Sequence, residues 1–593
     1  MATNDNEGSA SEQTRVGWDE EYDLVVLGSG GAGLTAALTG AIEGLRTLLI
    51  EKTEYLGGTT ALSAGTCWIP NNSYLQQEGV QGDDAAALQY LDALVDGLAD
   101  REIRTAFLAA GPEMLAYLEK RCDIRWQIYK TFVDYRQEFP GAGKGGRPLE
   151  PMPFDGRKLG KNFSRVRWPV PEWALFGGKM MVTRPEAFRL LRIAHLSPDA
   201  FLLGARLVLQ YLFDRLQYKR GTRLVLGNAL VANLFKNLLD RGGSVWFNGR
   251  TIELISKDGR VSGLVVQYKG KELRIHARRG IILAAGGFPA GAELRERYLR
   301  KPAAQYTRAC DACTGDTMLL AQSIGAAIGP TREDNALWFP SSIGRRADGS
   351  TVVFPHIWDR AKPGLVAVNR AGRRFVDESV SYHEFTRGMY RSHSTVPSIP
   401  AILICDRRFL WKYGLGMIRP LTPSFFLKSH IESGYVYSAN TLEELAHKVS
   451  VDAAGLVATV ETNNRFAQTG IDTEFNKGVS AYGRQYGDPE HSPNPCLGPI
   501  EKPPYFAIPV VPTPLGTSLG LNADAHSQVL DTSGQPIPGL YACGCDAYSI
   551  MGGEYPGGGC QVGAGMTFGY IAALHAAGKP GLMKVGAASS QQG

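Results

Sequence analysis

Apolar residues recur along the chain in two periods, and these divide it into elements. Leu24–Leu27 is a short unbroken apolar run, as is Thr47–Ile50, and a helical stretch Leu34–Glu43 lies between them. Runs of this length bounded by turn residues predict strands buried on both faces, joined by a crossover helix. Helical periodicity follows over Asp84–Leu98 and Arg101–Glu119, then a Gly/Pro-rich loop over 131–151. One helix is predicted from Pro185 and a second behind Ser197-Pro198-Asp199, with Ser197 as N-cap and Pro198 in the first turn. After Leu224 come a helix and a β-meander that ends in the apolar strand and small-residue turn Ile281–Gly287. Residues 335–494 carry more aromatics and prolines and read as a second domain inserted into the first. The predicted architecture is α/β: a Rossmann-like domain over 21–334 and 495–593, an α+β inserted domain over 335–494, a disordered tail over 1–20 and a helical insertion over 180–223.

The turn between the first strand and its helix is G-x-G-x-x-G, with Gly28, Gly30 and Gly33 at the required offsets. Gly28 permits the tight turn, Gly30 lets the backbone approach a pyrophosphate, and Gly33 lets the helix pack on the strand. The helix N-terminus offers free N–H groups to phosphates. Glu51, at the end of the second strand, stands where a carboxylate can hold ribose hydroxyls. Strand, turn, helix, strand and acid in register predict a dinucleotide site.

At 593 residues the chain is too long for one core. No apolar run reaches membrane-spanning length, and Met1–Trp18 is polar and acidic, unlike a secretory signal. Nine scattered cysteines point to a reducing compartment, and Cys310-x-x-Cys313 has no second pair at zinc spacing, so no metal is expected. A net charge of +5 over this length gives no reason to expect nucleic acid as a partner. Its distribution is more informative. Within 184–223, Arg184, Arg189, Arg192, Arg206, Arg215, Lys219, Arg220 and Arg223 outnumber Glu186, Asp199 and Asp214 by five, the surplus of the whole chain. The second helix there is apolar over most of its circumference. Such a segment suits an anionic membrane surface, and equally a buried helix pair or an oligomer contact. The expected location is the cytoplasm, peripheral on the inner face of the cell membrane if this segment lies there.

The fingerprint, D-Y at 134–135, D-E-S-V-S-Y at 377–382, L-G-T-x-x-G-L at 515–521 and Y-P-G-x-G at 555–559 occur in order. Together they resemble the 3-ketosteroid Δ1-dehydrogenase family, within the fumarate reductase/succinate dehydrogenase flavoprotein superfamily. The resemblance implies non-covalent FAD. Its site would comprise Gly28, Gly30, Gly31, Gly33, Glu51, Lys52, the Gly57-Gly58-Thr59-Thr60 segment with Ser63 and Gly65, the Ala285-Gly286 turn, Asp316 in T-G-D-T, and Gly544, Gly559 and Val562. It also implies the chemistry: two hydrogens removed across carbons 1 and 2 of a 3-keto steroid. Tyr555 and the Gly559 N–H would hold the 3-keto oxygen as an oxyanion hole, Tyr382 would take the carbon 2 proton, and Tyr135 would assist it. The carbon 1 hydride would pass to flavin N(5). A phenol of pKa near 10 is a stronger base than a carboxylate near 4, but it ionises rarely at neutral pH. A Tyr382 pKa lowered by Tyr135 or the flavin, or an alkaline optimum, is therefore expected.

Two departures stand out. Gly558 replaces the family's proline, predicting a more flexible loop, and Glu554 adds a carboxylate at the pocket edge, facing solvent or a hydroxylated substrate. A rival within the superfamily is a fumarate-type enoate reductase, for which Arg373, Arg374, His383 and Arg387 could bind carboxylates. Against it, T-P-L-G-T-S-L-G-L at 513–521 has no histidine, and no histidine precedes His195 to carry covalent flavin. A binding protein that keeps flavin only as structure is the third class, disfavoured by the intact tyrosine set. No second nicotinamide fingerprint is present, so a quinone or an artificial dye is the expected electron acceptor.

Overall fold

In the computed structural model, residues 17–191 and 197–579 are described. Arg192, His195 and most of the expected N-terminal tail lie outside them. Trp18, assigned to that tail, instead stacks on His276 with ring centroids 4.9 Å apart, and the Asp19 N–H donates to the Arg274 carbonyl.

The first sheet has eight strands around a parallel core. Its centre is Glu20–Leu27, flanked by Thr47–Glu51 on one side and Lys271–Leu283 on the other. Ser244–Phe247 and Pro536–Ala542 extend it outward, also in parallel. Val25 pairs with both Leu48 and Ile281, and all three are fully buried. Burial on both faces is why these strands read as unbroken apolar runs rather than alternating ones. The helix Gly31–Ile42 covers one face together with Cys560–Ala576 and Leu226–Asp240.

The second sheet is antiparallel, with six strands. Its long central strand, Tyr505–Thr517, pairs with Ala336–Arg345, Ala401–Asp406 and Tyr437–Ala439. The sequence pattern returns this segment to the first domain after Pro503; in the structure it completes the inserted sheet. The physical reason is that its backbone pairs with Ala336–Arg345 on one edge and Ala401–Asp406 on the other, while residues 515–517 at its end meet the cavity and the first domain.

The helices of 180–223 form as Arg184–Leu191 and Pro198–Asp214. Ser197 stands at the N-cap, although its hydroxyl bonds Asp199 rather than a backbone N–H. Among the described residues no helix is long and apolar enough to cross a membrane.

Candidate active site

The glycine turn is built as its spacing predicts. Gly28 has φ of 103°, and a Cβ there would lie 2.4 Å from the Ala284 carbonyl oxygen. One on Gly33 would lie 2.0 Å from the Gly28 oxygen. A Cβ on Gly30 would meet nothing closer than Thr60 Oγ1 at 3.7 Å, so this stretch of backbone is open. It opens onto a cavity of about 1180 Å³ that runs between the two sheets. The residues expected to hold FAD or to act on a ketone all line this cavity except Gly33 and Gly57, which shape it from behind. A volume above that of ordinary single-ligand sites can hold a dinucleotide and a second molecule together. Together with the bare backbone at the helix N-terminus, this arrangement fits FAD.

The polar contacts around it refine the expectations. Glu51 Oε2 accepts from the Ser29 hydroxyl at 2.5 Å and N–H at 3.3 Å, and Oε1 accepts from the Thr53 N–H and hydroxyl at 2.9 Å each. The single Thr53 hydroxyl hydrogen is shared with the Tyr55 carbonyl at 2.8 Å, so an acceptor site on Oε1 is left for a ribose hydroxyl. Lys52 and Asp316 pair at 2.9 Å, with Lys52 also donating to Thr314. Thr60 Oγ1 receives the Gly31 N–H at 3.0 Å, and Ser63 Oγ receives the Gly65 N–H at 2.9 Å. Sequence reasoning missed Asp546. It is buried and accepts from the N–H groups of Ala285 and Gly287 at 2.7 Å and from Thr317 at 2.9 Å, which sets the turn facing the cavity. The only signal for it was an acid two residues past Gly544.

At the other end of the cavity three tyrosines from distant segments converge. Tyr135 and Tyr382 share a hydrogen bond between hydroxyls, 2.8 Å long. Tyr555 lies against both, with ring centroids 5.1 Å from Tyr135 and 5.3 Å from Tyr382. Tyr135 is placed by its own N–H, which donates to the Pro556 carbonyl at 2.8 Å, and Tyr90 donates to the same oxygen. The neighbouring Asp134 fixes the loop by accepting from Trp68 Nε1 at 2.7 Å and Arg147 at 2.6 Å. Burial pushes Asp134 up despite that arginine. Tyr382 is the first residue of the helix Tyr382–His393, the turn where the macrodipole favours negative charge. Gly559, with φ of 97°, opens Cys560–Ala576, and a Cβ there would lie 2.3 Å from the Thr66 carbonyl oxygen. Its N–H donates to no group among the described residues.

The expectation of a lowered Tyr382 pKa is corrected. Burial raises the phenol well above its ordinary value, as do the neighbouring Tyr555 and Tyr482, while the Tyr135 hydroxyl pulls in the opposite direction. Tyr135 and Tyr555 are also raised by burial.

Both departures find a physical account. Glu554 does not line the cavity and is nearly buried: its carboxylate pairs with Arg387 at 2.7 Å, within a part-buried network of Asp334, Glu384 and Arg136. The space left by Gly558 is filled, since a Cβ there would lie 2.3 Å from the Phe132 ring and 3.0 Å from the Tyr135 hydroxyl. Arg374 is likewise locked, to Glu378 and Asp472. His383 is held neutral by burial and by nearby arginines, and its Nδ1 accepts the Trp338 N–H. None of Arg373, Arg374, His383 and Arg387 lines the cavity.

A glycine cradle on a parallel sheet, opening into a cavity that ends in a tyrosine cluster, defines a dinucleotide-dependent flavoprotein. Residues 23–562 match the FAD binding domain family, and the protein binds FAD. The chain is 36% identical over 578 residues to 3-oxosteroid 1-dehydrogenase of Mycobacterium tuberculosis, covering 95% of this chain and 99% of that one. It is 35% identical to 4-oxocyclohex-2-ene-1-carboxylate 5-dehydrogenase of Sinomonas cyclohexanicum, covering 93% and 92%. The crystal structure of 3-ketosteroid Δ1-dehydrogenase from Sterolibacterium denitrificans, in complex with 1,4-androstadiene-3,17-dione, superimposes with a TM-score of 0.88 at 38% identity, over 94% of this chain and 100% of that one. The chain belongs to the 3-oxosteroid 1-dehydrogenase family of FAD-dependent oxidoreductases.

Proposed function

We propose that the protein introduces the carbon 1–carbon 2 double bond into the A ring of 3-keto steroids. The observation that carries this reading is the 2.8 Å hydroxyl pair of Tyr135 and Tyr382 beside Tyr555 and the Gly559 N–H, which has no acceptor among the described residues. Tyr555 and Gly559 donate to the 3-keto oxygen and stabilise the charge that grows there as the α-proton leaves. Tyr382 accepts that proton, and Tyr135, donating to it, stabilises the phenolate form. The surrounding rings of Phe132, Phe339 and Tyr486 line a slot suited to a flat apolar molecule. Bound FAD supplies the hydride acceptor. Gly28, Gly30, Gly31, Thr60 and the helix behind them would hold its phosphates. A relative of nearly equal identity is named for a cyclohexenone carboxylate, so the reacting cyclic ketone is the part of the substrate on which this reading rests. A quinone, or a dye in the assay, takes the electrons onward.

The same reading puts the protein at the inner face of the membrane. Leu202, Phe213 and Leu216 on Pro198–Asp214 and just beyond it are 74%, 71% and 80% exposed, with exposed Arg206, Arg215 and Lys219 among them. Arg184, Arg220 and Arg223 do not belong to that surface: Arg184 pairs with Glu150, Arg223 with Glu186, and Arg220 is buried against Val166 and Asn228. Val182, Ala187 and Leu190 line the cavity, so a sterol could pass from the bilayer directly into it. Co-sedimentation with anionic vesicles tests this, since Leu202, Phe213 and Leu216 changed together to Ser should abolish binding; unchanged binding refutes it.

Anaerobic titration of the holoenzyme with androst-4-ene-3,17-dione tests the chemistry. Bleaching of the flavin with formation of the 1,4-dien-3-one is expected. An unbleached flavin, together with reoxidation of the reduced enzyme by fumarate, would overturn the reading in favour of an enoate reductase.

A further inference from the structure

Most charged side chains lining the cavity have a partner. Glu172 is held by Arg346 at 2.7 and 3.0 Å, Arg184 by Glu150, Asp359 by His356, and Lys362 by the Gly487 carbonyl. Arg308 is one that has no such partner among the described residues. Its backbone is anchored by the N–H donating to Pro514 at 3.0 Å, and its guanidinium lies over the Trp173 ring, 5.1 Å from the centroid. Nε and Nη2 are sealed from solvent with no acceptor among the described residues, and the side chain makes no ion pair with them. The acid whose field it feels, Glu172, is already spent on Arg346. Two guanidinium groups therefore share one carboxylate, and Arg308 has only the Trp173 ring against it. Burial lowers the Arg308 pKa to about 10, which still leaves it charged at neutral pH.

Two buried guanidinium N–H groups without acceptors, Nε and Nη2, are unfavourable unless an anion completes them. FAD offers anionic groups, but its phosphate cradle is the Gly28–Gly33 turn. Arg308 instead stands where the segment 171–175 meets the second sheet, beside Trp173 and Pro514. We propose that Arg308 is an anion-binding group of the substrate cavity, which takes a carboxylate carried by the ring ketone at the end remote from its reacting carbonyl. The inference rests on the ring-ketone dehydrogenase reading given above. It makes the preferred substrates acids, with Arg308 setting specificity through a charge-assisted contact.

The test is a binding titration that needs no turnover. Holoenzyme is titrated with 3-oxochola-1,4-dien-24-oate and with its methyl ester, followed by the visible flavin spectrum. The acid should bind at least ~10-fold more tightly than the ester. Arg308→Gln should bring the ratio to about one, and Arg308→Lys should keep part of the preference. Equal binding of acid and ester by the unaltered protein overturns the proposal, as does an undiminished preference in Arg308→Gln. Loss of bound flavin from Arg308→Gln also overturns it, since Arg308 would then serve the cofactor. Raised salt weakening the acid but not the ester supports it without any variant. An acid preference without dehydrogenation of any ketone would refute the catalytic reading alone. Dehydrogenation of androst-4-ene-3,17-dione without an acid preference would refute this inference alone.

Discussion

Replacing Tyr382 by Phe removes one oxygen atom and little else. The ring stays packed on Phe339, 4.4 Å between centroids, and edge-on to Tyr135 and Tyr555 at 5.4 and 5.3 Å. What is lost is the 2.8 Å hydrogen bond to Tyr135, whose hydroxyl is left buried without that partner. That should cost about 1–3 kcal/mol of stability, which a domain of this size can absorb. The kinetic loss should be larger. A positioned general base contributes roughly 10²–10⁴ in rate, or about 3–5 kcal/mol of barrier. The pH dependence carries the sharper test. Because burial raises the Tyr382 phenol above its ordinary value, the phenolate is a minor species throughout the neutral range. Its population, and the rate of flavin reduction with it, should grow about tenfold per pH unit until the raised pKa is reached. Anaerobic stopped-flow reduction with androst-4-ene-3,17-dione between pH 6.5 and 9.5 measures both quantities. A fall of less than about tenfold in Tyr382→Phe, or an unchanged pH slope in that variant, would refute the assignment of the base.

Three further outcomes follow from the packing. Gly28→Ala puts a Cβ 2.4 Å from the Ala284 oxygen at a positive φ, so the purified protein should lose most of its 450 nm absorbance per chain; full flavin occupancy would contradict the cradle. Glu554→Gln removes the carboxylate that Arg387 and Arg136 share, and should cost about 1–3 kcal/mol, read as a lower apparent melting temperature with substrate affinity retained. Gly558→Ala drives a methyl into Phe132 and toward the Tyr135 hydroxyl, costing about 1–3 kcal/mol and slowing flavin reduction, with partial rescue by Phe132→Leu; an unaffected rate would show that Phe132 moves freely.

Local rules explain what was legible in the chain. The strand–turn–helix–strand unit from Leu24 to Glu51 could be read because each part is set by neighbours in sequence: glycine offsets, an apolar run, a helical period. The bounds moved by only a few residues, to Glu20–Leu27, Gly31–Ile42 and Thr47–Glu51. Motif order also identified Tyr135, Tyr382 and Tyr555, whose hydroxyls and rings do meet. Other features depend on residues hundreds of positions apart, and no local pattern reports them. The strand Tyr505–Thr517 joins the second sheet because Ala336–Arg345 and Ala401–Asp406 supply its edges. Among the described residues, basic groups that read alike along 184–223 divide into partners of Glu150, Glu186 and Asn228 and exposed ones.

The amino-acid sequence by itself determined the class of cofactor site, the parallel sheet that carries it and the set of tyrosines, because backbone geometry and short motifs encode them within a few residues. Tertiary structure alone decided the charge states and partners. Burial raised the Tyr382 phenol, Arg387 drew Glu554 away from the cavity, and Phe132 filled the space at Gly558. It also left Arg308 without an acceptor among the described residues. Desolvation and long-range pairing depend on which distant surfaces close over a group, and that is settled only when the two sheets come together around the cavity.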